Sequence, residues 1–213
     1  MNGPGRSAPT AWQISSLLLD YPDQTWRARL PMLSEEVGRL PRTLADPLRT
    51  FLDHAARTDP TELAADFVAT FDIKRRCCLY LTYYAHGDTR NRGMALLAFK
   101  NAYRRAGVVL GDEELPDHLG VVLEFAATAD ATVGYQLLVD HRAGLELLRL
   151  ALRDAGSPWV SVLDTVSATL PTIRGDEREA VRRLAAQGPP AEEVGLSPFG
   201  PPTTRDDLTG ARR

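Results

Sequence analysis

The stretch that decides the fold is Asp66–Lys100, DFVATFDIKRRCCLYLTYYAHGDTRNRGMALLAFK. It begins on an amphipathic helical pattern, crosses a charged corner at Asp72–Arg76, and passes through an aromatic patch before a helical pattern resumes near Asp88. The residues that share the first helical face are Leu63, Phe67, Thr70 and Phe71. The only β-prone patch, Leu79–Tyr84, is short and has helical patterns on both sides, so the stretch favours a helical fold.

Helical periodicity continues in both directions from this stretch. Helices are predicted after Thr10 as N-cap, over Thr25–Arg39, around Leu44–Ala55, after Asp59-Pro60, over Asp88–Ala106, from Pro116, over Ala131–Ala155, after Ser157-Pro158 and over Asp176–Gln187. A clean apolar stripe follows Ser157-Pro158: Trp159, Val162, Leu163, Val166 and Leu170. The prediction is therefore an all-α fold with eight or nine helices in one compact domain. We expect that domain to cover residues 10–188, between a flexible N-terminus (1–9) and a Pro/Gly-rich disordered tail (189–213).

Composition excludes several classes of protein. The chain has 213 residues, 44% of them hydrophobic and 25% charged, which suits one domain with a real core. The net charge of −3 offers no overall polycation for nucleic acid. The start, MNGPGRSAPT, has no apolar core of a signal peptide, and no apolar run is long enough to span a bilayer. We expect a cytoplasmic protein without membrane insertion.

Charge is segregated along the chain. From Ile73 to Arg105 there are eight Lys or Arg and one acid, Asp88. From Ala106 to His141 there are seven acids and no Lys or Arg. The two blocks are compatible with pairing to each other or with a surface that orients a charged partner.

Cys77 and Cys78 are the only cysteines and are adjacent. Neighbouring thiols on a helix point about 100° apart, so they do not jointly chelate one ion, and no second metal-ligand pair occurs. The favoured interpretation is that both cysteines are small buried side chains of the core. The alternative is a reactive thiol whose pKa is lowered by the basic corner. An enzyme built on these thiols with His86 and His118 is a third hypothesis, which the ligand spacing disfavours.

Aromatic and polar side chains near the corner indicate a different kind of site. At helical spacing Tyr80 and Tyr84 would share one face and Tyr83 another, so one set would remain accessible beside charge. Such a surface suits capture of a helical peptide in a groove, although ordinary core packing explains aromatic residues equally well. Asp117, in Pro116-Asp117-His118, is expected in the first turn of a helix, where a carboxylate opposes the macrodipole.

Three segments resemble a known family. They are FVATFDIKRRCCLYLTYYAHGDTRNRGMALLAFKNAYRRAG (67–107), LPDHLGVVLEFAA (115–127) and SSLLLDYPDQTW (15–26). They are similar to the respiratory nitrate reductase assembly chaperones, the NarJ-type or delta-subunit proteins within the TorD/DmsD family of redox-enzyme maturation chaperones. The resemblance covers roughly residues 12–155.

The resemblance implies a non-catalytic cytoplasmic chaperone of TorD/DmsD/NarJ-like fold. Such a protein binds the N-terminal segment of the apo nitrate reductase catalytic (α) subunit, or the apo α–β complex, and keeps it competent for molybdenum cofactor insertion. No cofactor would be bound permanently. Molybdenum cofactor biosynthesis proteins are further candidate partners, and the oligomeric state, monomer or homodimer, stays open. The alternative is a permanent non-catalytic structural subunit of a membrane-associated oxidoreductase.

The resemblance also implies where the client binds. In the wider family the proline-aspartate-histidine element lies beside the peptide groove, which corresponds here to Pro116–His118. The candidate client-binding residues are Phe71, Asp72, Lys74, Arg75, Arg76, Tyr80, Tyr83, Tyr84, His86, Pro116, Asp117, His118, Leu119 and Glu124. No catalytic and no metal-binding residue is predicted.

Overall fold

A computed structural model describes residues 3–111, 114–173, 175, 178–179 and 181–183. Ten α-helices are defined in these ranges: α1 (Ala8–Leu18), α2 (Gln24–Gly38), α3 (Arg42–Arg57), α4 (Pro60–Phe67), α5 (Tyr83–His86), α6 (Arg90–Arg105), α7 (Leu119–Thr128), α8 (Ala131–Asp140), α9 (Arg142–Asp154) and α10 (Val160–Ala168). Between α4 and α5 lie a π-helical turn (Val68–Asp72) and a 3₁₀ turn (Arg75–Cys77). The described ranges contain no strand, only one isolated antiparallel bridge between Tyr80 and His118, so the predicted all-α class is confirmed.

Some predicted helix boundaries differ from the observed ones. Helix α1 begins at Ala8, two residues before the expected cap Thr10. Helix α6 begins at Arg90 after Thr89, so Asp88 is not its cap. The tail 189–213 and much of the helix predicted over Asp176–Gln187 lie outside the described residues.

The helix predicted over Ala131–Ala155 is two helices, α8 and α9, divided at His141. The imidazole of His141 packs against the ring of Phe99 at 4.8 Å between centroids. Helix α8 packs on α7, whereas α9 packs on α10 and on the 3₁₀ turn. The two halves therefore serve different neighbours, and tertiary packing overrides a continuous local pattern.

The core is one cluster of apolar side chains to which all ten helices contribute, with α1 packed on α7 and α3 packed on α10. Trp12, Trp26 and Trp159 are almost completely buried. The indole of Trp159 contacts the rings of Phe67 and Phe71 at 5.6 and 5.5 Å, and its N–H donates to the Leu18 carbonyl at 3.2 Å. Burial of each large aromatic side chain stabilises the fold by about 1.5–3 kcal/mol, and this cluster fixes the end of α4 from which the candidate site starts.

A helix that crosses a bilayer needs about 20 mostly apolar residues. Within the described ranges, every helix is too short or too polar to cross a membrane.

Candidate peptide-binding trough

Two cavities lie side by side, because they share the lining residues Phe71, Asp72 and Tyr80, and we call the pair the trough. The first, which we call the acidic cavity, has a volume of about 240 Å³. Its walls are Leu19, Asp20, Tyr21, Phe67, Phe71, Asp72, Leu79, Tyr80, Glu114 and His118. The second, the arginine cavity, has a volume of about 380 Å³ and is completed by Arg75, Cys78, Tyr83, Asp88 and Arg92.

The π-helical turn forms one edge of the trough, because its residues Phe71 and Asp72 line both cavities. Helix α4 starts as predicted, with the Asp59 carboxylate accepting hydrogen bonds from the backbone N–H groups of Thr61 (2.8 Å) and Glu62 (3.3 Å). At its other end the Ile73 N–H donates to the Val68 carbonyl at 3.2 Å, five residues back. Single π turns occur often at functional sites.

The side chains on this turn diverge. Phe71 is 7% exposed and joins the core, while Asp72 is exposed to solvent. The turn therefore presents one apolar and one anionic residue to both cavities.

The segment that carries Tyr80 is extended, and the expected helical face of Tyr80 with Tyr84 is therefore wrong. The Leu81 N–H donates to the Asp117 carbonyl at 3.0 Å, and the Leu119 N–H donates to the Leu79 carbonyl at 2.8 Å. Successive side chains of an extended segment point to opposite sides. Leu79 and Leu81 are accordingly buried, whereas Tyr80 is half-buried between the two cavities.

Asp117 anchors this segment, and its predicted position in the first turn of a helix is wrong because α7 starts two residues later. The carboxylate is completely buried and accepts hydrogen bonds through Oδ2 from the Thr82 N–H (3.0 Å) and hydroxyl (2.5 Å). The Arg92 guanidinium lies 3.7 Å from the same oxygen. A buried carboxylate needs such partners, so Asp117 holds the Tyr80 segment in place.

Tyr80 is surrounded by polar and charged groups. Its hydroxyl donates to Glu114 at 3.2 Å, its ring meets the His118 ring edge-on at 5.4 Å, and Arg92 lies over it at 5.3 Å. Burial and the Glu114 carboxylate raise the pKa of Tyr80 to about 12. Burial lowers the pKa of His118 despite the neighbouring acids. Both rings are therefore neutral near pH 7.

Among the described residues, the charges of the acidic cavity come from Asp20, Asp72 and Glu114, and none of its wall residues is Lys or Arg. Burial raises the pKa of Asp20, although Arg29 lies 3.6 Å from its carboxylate. The walls otherwise consist of leucine and aromatic side chains. A cation on an apolar stem is the group that fits this cavity.

The predicted client-binding residues fall into three groups. Those that line the trough are Phe71, Asp72, Arg75, Tyr80, Tyr83 and His118. Those that lie in its support are Tyr84, Pro116, Asp117 and Leu119, all buried. Those that do not line it are Lys74, Arg76, His86 and Glu124.

The supporting residues hold the backbone of the trough. The Tyr84 hydroxyl lies 3.0 Å from the Arg76 carbonyl and 2.9 Å from that of Cys78. The Pro116 carbonyl accepts a 2.5 Å hydrogen bond from the Tyr103 hydroxyl. The corner and the Pro116–His118 element are thereby tied to the helices behind them.

Sequence reasoning missed several wall residues. Leu19, Asp20 and Tyr21 follow α1, and their signal was the Tyr21-Pro22 helix stop within SSLLLDYP. Glu114 and Arg92 lie in the acidic and basic blocks, where nothing in the pattern set them apart from their neighbours.

The two thiols are free, Cys77 buried and Cys78 half-buried. Burial raises the pKa of both, and this effect outweighs the lowering by nearby cations. The alternative interpretation, a thiol whose pKa is lowered by the basic corner, is therefore wrong. In the described ranges no three His, Cys, Asp or Glu side chains are grouped to hold a metal ion.

The fold is that of a redox enzyme maturation protein. A crystal structure of a candidate redox enzyme maturation protein from Archaeoglobus fulgidus superimposes with a TM-score of 0.56 at 20% sequence identity, covering 79% of this chain and 96% of that one. The sequence model of the nitrate reductase delta subunit family matches residues 36–164. The chain belongs to this family, as its resemblance to the NarJ-type chaperones predicted.

Individual relatives agree with this assignment. A probable nitrate reductase molybdenum cofactor assembly chaperone NarJ of Bacillus subtilis is 34% identical over 74% of this chain and 86% of its own length. The nitrate reductase molybdenum cofactor assembly chaperone NarJ of Escherichia coli K12 is 32% identical over 71% of this chain and 65% of its length. The nitrate reductase-like protein NarX of Mycobacterium tuberculosis is 40% identical over 74% of this chain, which spans only 24% of NarX. The NarJ relatives are named as chaperones and not as enzymes.

Proposed function

We propose that this protein is a cytoplasmic chaperone for the apo catalytic subunit of a respiratory nitrate reductase. It binds the N-terminal segment of that subunit in the trough and keeps the client competent for molybdenum cofactor insertion and assembly. The names of the NarJ relatives support the client. The observation that carries the proposed binding site is the adjacency of the two cavities, which share Phe71, Asp72 and Tyr80 in their walls.

The chemistry of the trough supports an amphipathic peptide as ligand. Leu19, Phe67 and Leu79 supply an apolar wall beside the carboxylates of the acidic cavity. A leader segment with apolar and basic side chains on one face would satisfy both. The trough is small compared with a permanent interface, which suits a chaperone that must release its client.

Calorimetric titration with a synthetic peptide of the α-subunit N-terminus tests the proposal. We expect saturable binding, weakened at least fivefold by Asp72→Asn combined with Glu114→Gln, because these changes remove two carboxylates from the acidic cavity. Glu35→Gln combined with Glu36→Gln is the matched control, since both carboxylates lie on α2 and pair with Arg39. No binding heat at any peptide concentration, or equal weakening by both pairs of changes, would refute the site.

A permanent structural subunit predicts a different result. The chain would then be found in stoichiometric amount in the mature, cofactor-loaded enzyme. A chaperone is present with the apo enzyme and absent from the mature one, and quantitative mass spectrometry of both preparations separates the two roles.

A further inference from the structure

Helix α6 shows an apolar and basic surface to solvent. Of its 16 residues only Phe99 and Tyr103 are buried, and they face the core. Met94 and Leu97 are 71% and 47% exposed. They are three residues apart and therefore neighbours on the helix surface, about half a turn from the buried pair.

The charge of this helix is unusual for a solvated surface. Its sequence, RNRGMALLAFKNAYRR, contains five Lys or Arg and no acid. Arg104 and Arg105 favourably oppose the macrodipole at the C-terminus, but Arg90, at the N-terminus, does not. Among the described residues no carboxylate lies within ion-pairing distance of Lys100 or Arg105.

The basic corner adjoins the start of this helix, because Arg75 and Arg92 line the same cavity. At the corner Ile73 is 71% exposed. Lys74, Arg75 and Arg76 are exposed and, in the part of the chain that the structure describes, lack an acidic partner. Arg92 lies about 200° around the helix from Met94, so the corner adds positive charge beside α6 and not on its outward side. We call the outward side of α6 the cationic face, comprising Met94, Leu97, Lys100, Arg104 and Arg105.

The net charge of the chain does not reveal this face, because the positive charges are concentrated in one segment. Ile73–Arg105 holds eight of the 25 Lys and Arg but one of the 28 Asp and Glu, which leaves 17 basic against 27 acidic residues elsewhere. A protein with a net charge of −3 therefore carries a segment of +7. Separation of charge on this scale orients a molecule toward an anionic surface.

We propose that the cationic face binds peripherally to a bilayer that contains anionic lipids. Met94 and Leu97 would enter the boundary between headgroups and acyl chains, and the basic side chains around them would contact lipid phosphates. The long stems of Lys and Arg allow charge and apolar contact together. The proposal does not rest on the function proposed above.

The composition of the face favours lipid over other anionic partners. Met94 and Leu97 are exposed and line neither cavity of the trough, so they do not belong to the proposed peptide site. A nucleic acid backbone would use the cations but not the two exposed apolar groups, and the cationic face offers no exposed aromatic ring for stacking on a base.

Flotation of the full chain with lipid vesicles tests the proposal. Vesicles of phosphatidylcholine alone are compared with vesicles that also contain phosphatidylglycerol, each at low and high salt. Each basic side chain near an anionic surface raises partitioning about fivefold, so Lys100→Gln, Arg104→Gln and Arg105→Gln together should lower it about 100-fold. Met94→Gln with Leu97→Gln should lower partitioning about tenfold, because a tenfold change is the free energy of burying roughly 55 Å² of apolar surface in the bilayer.

The matched control is Met32→Gln on α2 with Arg39→Gln directly after it, where the methionine is 55% exposed and the arginine is paired with two glutamates. It should bind vesicles as the unmodified protein does. Far-UV circular dichroism and the melting temperature confirm that each variant folds.

Several outcomes would overturn the proposal. They are absence of flotation with anionic vesicles, equal flotation with neutral vesicles, and full binding by the Met94→Gln/Leu97→Gln variant. Binding to polyglutamate but not to anionic vesicles would assign the face to an acidic protein partner instead.

Discussion

Replacement of Asp117 by alanine should destabilise the protein strongly, because this side chain accepts two hydrogen bonds and neutralises a guanidinium. Its carboxylate accepts the Thr82 N–H and hydroxyl and faces the Arg92 guanidinium, and it is 0% exposed. An unsatisfied buried donor costs about 1–3 kcal/mol. Arg92 retains some contact with water, since its side chain is 17% exposed, so we expect a total loss of about 3–5 kcal/mol in the free energy of unfolding.

Asp88→Ala is the matched control for this change. Asp88 pairs with the same Arg92 at 3.4 Å, but its side chain is 64% exposed. An exposed ion pair contributes about 0–1 kcal/mol. The two variants remove a carboxylate from one guanidinium in two environments, so their difference isolates the effect of burial.

Urea unfolding followed by circular dichroism measures both losses. A loss of 3–5 kcal/mol should also lower the melting temperature by roughly 10 °C or more. Hydrogen exchange supplies a local readout, because the amides of Leu81 and Thr82, which donate to Asp117, should lose protection first. If Asp117→Ala and Asp88→Ala destabilised the protein equally, the anchoring role of the buried carboxylate would be refuted.

Three further predictions concern packing, pH and thiol chemistry. Gly134→Ala should destabilise the protein by about 2 kcal/mol or more in urea unfolding, because the added Cβ would overlap Ala126 of α7. Gly93→Ala, on the open side of α6, should stabilise the protein by about 0.5–1 kcal/mol. Equal effects of the two changes would contradict the close contact between α7 and α8. Burial lowers the pKa of His118 and His141 in the folded state. The stability that the two neutral rings give to the fold is therefore present above the unfolded pKa of about 6.5 and is lost as the pH falls below it. Replacing both by Gln should flatten the decline in the free energy of unfolding between pH 7 and 5. Burial raises the pKa of the Cys78 thiol, so Ellman's reagent at pH 8 should react more slowly with the folded than with the unfolded protein, and equal rates would contradict this assignment.

Local rules predicted the parts of the fold that depend on neighbours in the chain. The Asp59-Pro60 start of α4 was predicted because a capping side chain, a first-turn proline and an apolar face lie within one short segment. The stripe Trp159, Val162, Leu163, Val166 and Leu170 is buried throughout, since its spacing alone places it on one side of α10 and its flanks. The apolar pattern runs on through His141, where α8 and α9 are in fact divided. The ring that packs against His141 there is Phe99 of α6, which lies far away in the chain.

The candidate site was predictable only in part for the same reason. Phe71, Asp72, Arg75 and Tyr80 were identified because they lie together on one distinctive stretch. Asp20 and Glu114 line the same cavity from distant parts of the chain, and no local pattern indicates that the fold brings them together.

By itself, the sequence determined an all-α protein of the nitrate reductase delta subunit family and directed attention to the corner at Asp72–Arg76. Periodicity, caps and family motifs are carried by residues close together in the chain, so they can be read without a fold. Only the tertiary structure decided that Asp117 is a buried anchor and not a helix-terminal charge, because its partner Thr82 lies 35 residues away. The tertiary structure also decided which side of α6 faces water, because burial of Phe99 and Tyr103 against other helices leaves Met94 and Leu97 outside.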